Sequence, residues 1–152
     1  PFVADATELV DSLSNGKDVV LAGDLSFKAG TTNGYGVTGV TVTSGTFDGN
    51  GNELNIKGAY DTWDSAVYVS AGTIKNLTID SGFRGLFVNH DSSHSERVIL
   101  ENVIIDGPTY TISCDQGTGK GLTATNSSFN SAADFAFKPS TYLLIFTVST
   151  TF

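Results

Sequence analysis

Residues 57–65, KGAYDTWDS, gather two aromatic rings and two carboxylates, with Tyr60 and Trp63 followed by Asp61 and Asp64 respectively. Such rings stack on sugar faces or anchor a protein interface, and carboxylates accept hydrogen bonds from hydroxyls. A third reading lays Trp63, the only tryptophan, over the flank of the fold as a cover for apolar surface. Asp80 and Asp106 end two near-copies, GTIKNLTID and VILENVIID, and Asn130 ends a third, GLTATNSSFN. In register, the two carboxylates would lie about 4.8 Å apart, close enough to raise one pKa or to share a cation, although corner residues are the plainer reading. His90 and His94 stand four apart in NHDSSHSER beside Asp91 and Glu96. The Ser-Ser interruption offers no helix to bring the imidazoles together, so a solvated loop is expected rather than a metal site. Arg84 is expected to pair with a corner aspartate. The turn DGNG at 48–51 lacks the Lys-Ser/Thr and the helix of a phosphate loop. No set of nucleophile, base and charge stabiliser is recognisable, and no catalytic residue, cofactor or metal is assigned.

The elements that carry these residues follow from the repeats. Asn76, Asn102 and Asn126 recur at intervals of 26 and 24, each amid β-branched residues on alternate positions. A period in the twenties marks a chain that climbs by coils, each stacking on the last. The fold class expected is all-β: a right-handed parallel β-helix of about five coils. The asparagines are read as bend residues that tolerate left-handed backbone, with an exposed ligand-binding polar ladder as the alternative. Stacking the repeats is expected to place Leu54, Leu77 and Val103 in one inward column, and Ile56, Ile79, Ile105, Phe129 and Phe152 in the next. A second strand per coil appears as AVYV (66–69), GLFV (85–88), TYTI (109–112) and DFAF (134–137). Residues 5–16 read as a short amphipathic helix with Asp5 as N-cap, Glu8 as capping-box partner and Gly16 as stop, burying Ala6, Leu9, Val10 and Leu13 as a lid on the first coil. Inserts at 28–36, 57–65, 89–97 and 115–121 project sideways, where specificity in a solenoid resides.

Composition sets the outer limits. The 152 residues suit one domain: helix 5–16, coils 18–137 and a terminal strand 138–152. Charged residues are only 16%, and the 17 glycines suit short strands and tight turns. A net charge of -8, with no basic cluster, disfavours nucleic acid and anionic membrane as partners. Cys114 cannot form an internal disulfide and fits a strand interior. The start at Pro1 implies a removed leader, a fragment or a processed product, and no apolar run is long enough to span a bilayer. Three Thr tracts, at 41–43, 123–125 and 147–151, lack the constant interval that an ice- or mineral-binding face needs.

The repeated unit around Asn76, Asn102 and Asn126, the opening turn DGNGNELNI and the helical lid together resemble a right-handed parallel β-helix of the pectate-lyase-like kind, over roughly residues 5–130. That likeness concerns architecture. The polysaccharide lyases and polygalacturonases of this kind carry calcium-binding aspartates with a catalytic Arg or Lys, or NTD, DD and HG signatures, and the latter three do not occur here. In texture, GTIKNLTI, FRGLFV and GLTATNSSFN more closely resemble non-catalytic β-helix modules of bacteriophage tail fibres, tailspikes and capsid cement proteins. The resemblance implies a structural or attachment module on a virion surface, a homotrimer or a companion of a shell or fibre protein. The alternative is an extracellular or cell-surface polysaccharide-binding or polysaccharide-cleaving β-helix. The uncharged run YLLIFTV and the final Phe152 imply a partner on the C-terminal end, or a longer chain. Candidate contacts with partner or glycan are therefore Tyr60, Asp61, Trp63 and Asp64, together with Tyr142, Leu143, Leu144, Phe146 and Phe152.

Overall fold

A computed structural model describes residues 1–32, 34–80, 82–90, 97–117, 121–131 and 137–138, with backbone alone at 90, 114–117 and 137–138. Its first elements are β1 (Phe2–Val3) and α1 (Ala6–Ser14). Asp5 has extended backbone, and its carboxylate accepts the Glu8 N–H at 2.8 Å, so the cap is the one the sequence predicts. Leu9 and Leu13 are fully buried, and Gly16 closes the helix with a positive φ of 70°. The helix packs on β2 (Val19–Leu21), β3 (Leu25–Lys28) and β5 (Val37–Val42), the strands of the first winding.

The remaining strands are β4 (Thr31–Thr32), β6 (Thr46–Lys57), β7 (Ser65–Val69), β8 (Gly72–Asp80), β9 (Arg84–His90), β10 (Val98–Asp106), β11 (Tyr110–Gly117), β12 (Leu122–Thr125), β13 (Ser128–Asn130) and β14 (Phe137–Lys138). They alternate between two sheets. One runs β1-β2-β6-β8-β10-β12, with β3 beside β6 and β13 beside β10; the other runs β14-β11-β9-β7-β5-β4. Among the described residues every pairing is parallel except β4 with β5. The chain is thus a parallel β-helix of about four turns. Val40, Val67, Leu86 and Ile112 from one sheet meet Phe47, Leu54, Ile74, Ile79, Leu100 and Ile105 from the other in one apolar core.

The inward columns differ from those expected. Leu25, Leu54, Ile79, Ile105 and Phe129 stack in one column, so Leu54 rather than Ile56 lies against Ile79. Ile56 instead pairs with Phe27, and Leu77 lies opposite Asn52 and Val103. The cause is a local excess in β6: four steps from Asp48 to Asn52 face two steps from Lys75 to Leu77. Asn50 and Gly51, at φ 54° and 80°, take up the extra length. Just before them Gly49 allows close approach, because a Cβ there would sit 2.5 Å from the Asn76 carbonyl oxygen.

The recurring asparagines are bend residues: Asn76, Asn102 and Asn126 have φ of 51°, 57° and 50°. Their amides also link coils. Asn102 Nδ2 donates to Asn76 Oδ1 at 3.1 Å, and Asn76 Nδ2 donates to Asp48 Oδ1 at 3.1 Å. Asp48 further accepts the Asn50 N–H at 2.8 Å and lies 3.6 Å from Lys75 Nζ. Partial burial pushes its carboxyl pKa up. The Asn50 N–H, the Asn76 amide and Lys75 together outweigh that and hold it below its ordinary 3.8. A depressed folded-state pKa adds stability above the unfolded value, and that increment is lost as pH falls through the folded value. Asp48→Asn is therefore expected to destabilise at pH 7, with the gap from the parent closing below about pH 4. Urea titrations at both pH values check this.

Candidate functional site

Two loops fold over the outward side of the second sheet. Val67 and Val69 of β7 and Leu86 and Val88 of β9 point into the core, so Tyr68 and Phe87, which pair in register, face outward. Their ring centroids lie 5.3 Å apart. The 57–65 insert lays Trp63 over Phe87 at 6.1 Å, and the 28–36 insert adds Tyr35, 5.9 Å from Trp63 and 5.7 Å from Phe87.

Asp64 ties the two loops together. It is only 6% exposed; one carboxylate oxygen accepts the Val37 N–H at 2.8 Å and the other the Asp61 N–H at 2.9 Å. Gly36 permits this contact, since a Cβ there would come within 2.5 Å of the Asp64 carboxylate and 2.7 Å of the Trp63 carbonyl. Asp64→Ala removes the acceptor of two charge-assisted bonds and is expected to cost about 2 kcal/mol, with Asp64→Asn milder. Denaturant unfolding followed at Trp63 checks it.

For Arg84 the sequence suggests an ion pair with a corner aspartate, and the structure places the residue inside the fold. It is wholly buried, with its guanidinium 4.5 Å from the Trp63 ring centroid and 4.8 Å from that of Phe87. Its Nε donates to the Thr62 carbonyl at 2.8 Å and its Nη1 to the Ser113 hydroxyl. Its backbone N–H donates to the Asp64 carbonyl at 3.1 Å. The arginine thus stiffens the 61–64 turn from beneath.

Between the loops lies an open groove of about 960 Å³, lined by Thr32, Tyr35, Asp61, Thr62, Trp63 and Asp64 with Val37 and three glycines. Trp63 is 38% exposed and Tyr35 44%, so Trp63 both covers the flank and presents ring surface. Tyr60, 68% exposed, is on the same loop but outside the lining. Of the candidate contacts, Asp61, Trp63 and Asp64 line the groove, and Tyr35, which was not among them, lines it too. The available signal was the position of GTTNGYG one winding before AYDTWDS, which stacks the two inserts at one corner.

Asp80 and Asp106 do pair in register, between Asn55 and Asn130, on the other sheet and away from the groove. Asn55 Nδ2 reaches Asp80 at 3.5 Å. No group of three metal-ligating side chains occurs among the described residues. Asp91, His94, Glu96, Tyr142, Leu143, Leu144, Phe146 and Phe152 lie outside the described residues, as do the side chains of His90 and Cys114. No family model, curated protein or solved structure matches the chain.

Proposed function

We propose that this chain is a non-catalytic attachment module: a rigid β-helix that holds a preformed side groove and acts by binding and self-association. One observation carries this reading. The ionic groups nearest the groove serve the scaffold, Asp64 through two backbone N–H bonds and Arg84 through burial beneath Trp63. Acid/base cleavage of a glycosidic bond needs two carboxyl groups facing the substrate, and Asp61 is the exposed one in the described lining. The virion setting, as a capsid decoration or tail-fibre component, rests on the likeness of the repeat unit to phage modules. Closed threefold symmetry would then suit self-association. A second reading, an extracellular polysaccharide binder, is favoured by the exposed rings of Tyr35 and Trp63.

Two measurements test the proposal. Light scattering of the purified chain is expected to give a trimer mass, and a stable monomer overturns self-association. Incubation with acidic and neutral polysaccharides is expected to release neither reducing ends nor unsaturated products. Turnover that Asp61→Asn abolishes would overturn the non-catalytic reading.

A further inference from the structure

We propose that the groove between the two loops binds a neutral saccharide. The inference rests on the binding part of the function proposed above and adds the ligand class. Ligand sites are concave and aromatic-lined, with a few polar groups that fix orientation. This groove has two tilted rings, Tyr35 and Trp63, 5.9 Å apart, with the exposed Asp61 carboxylate and the Thr32 and Thr62 hydroxyl side chains around them. Rings present apolar faces to the C–H side of a sugar, and carboxylate and hydroxyls take its O–H groups.

Charge decides among the three ligand classes that aromatic grooves take. The described lining contains two carboxylates and no Lys, Arg or His, and the whole chain carries -8, so an acidic saccharide is repelled. A quaternary ammonium ligand would seek the face of Trp63. The Arg84 guanidinium, 4.5 Å from that ring's centroid, already draws on its negative face and repels a second cation. A neutral sugar meets neither obstacle. The site is also held ready, because Asp64 fixes both loops and Arg84 supports the turn, so little ordering accompanies binding.

Trp63 is the only tryptophan, so its fluorescence reads the groove directly. The full chain is titrated with cellohexaose, mannohexaose, maltohexaose and xylohexaose, and with oligogalacturonate and choline as contrasts; a labelled sample is applied to an array of neutral glycans. A saturable shift with a neutral oligosaccharide is expected. Tyr35→Ala and Asp61→Asn should each raise the half-saturating concentration about tenfold, as loss of one anchor does. Ile99→Thr, on the opposite sheet between Thr73 and Thr123, should leave it unchanged. A flat response across the neutral panel and array overturns the inference while leaving the trimer and the absence of cleavage intact. Binding of oligogalacturonate or choline in its place overturns it equally. Cleavage of a bound neutral sugar would instead sink the non-catalytic reading and spare this one.

Discussion

Ile79→Asp is expected to abolish folding. Ile79 is fully buried and stacks between Leu54 and Ile105, each about 4.8 Å away along the column. The substitution removes a well-packed aliphatic group and places a carboxylate where the column supplies only apolar partners. Losing the isoleucine contacts costs about 2–5 kcal/mol, and burying an unpaired polar group adds about 1–3 kcal/mol even if the acid is protonated. Their sum rivals the total stability of a domain this size, about 5–15 kcal/mol. Circular dichroism should show a chain without cooperative unfolding. Ile79→Val, at about 1 kcal/mol, should melt cooperatively a few degrees lower and so separates a packing loss from a general intolerance of change at the site. An Asp variant that melts like the parent would refute the column.

Arg84→Ala is expected to cost about 3–5 kcal/mol and to alter Trp63 emission in the folded state. The change empties the space beside the Trp63 and Phe87 rings and takes from the Thr62 carbonyl the donor 2.8 Å away. Arg84→Lys is not a conservative replacement, because an ammonium cannot span the Thr62 carbonyl and the Ser113 hydroxyl while resting against both rings. Both variants should blur the groove, seen as a shifted tryptophan maximum before denaturant is added. Parent-like stability together with an unchanged maximum would mean that the arginine carries no load beneath the loop.

Most of the scaffold could be read from residue types. Asn76, Asn102 and Asn126 announce the bends because asparagine tolerates positive φ at little cost, and their intervals give the coil length. Asp5 and the Leu9–Leu13 spacing announce the helix. Placing Ile56 in the wrong column has a physical origin: strand side chains alternate with period two, so sliding NELNI by two residues keeps every apolar group inward and leaves the pattern intact. Only backbone pairing distinguishes the two registers. The groove was half legible. Asp61, Trp63 and Asp64 stand out as a local cluster, whereas Tyr35 joins them through a fold that brings together positions 28 residues apart. The burial of Arg84 was not legible, because arginine is rarely fully buried and nothing local signals the rings that receive it.

The extra length at Asn50–Gly51 bears on how such a chain winds correctly. Near-identical windings invite stacking one step out of place, since each offers its neighbour much the same surface. Thr46–Asp48 meet β8 at an offset of 27 positions and Asn52–Asn55 at 25, so any slide that suits one half of β6 breaks the other. The irregularity therefore acts as a notch in an otherwise smooth thread: the third winding seats on the second in a single way, and those added later inherit its alignment.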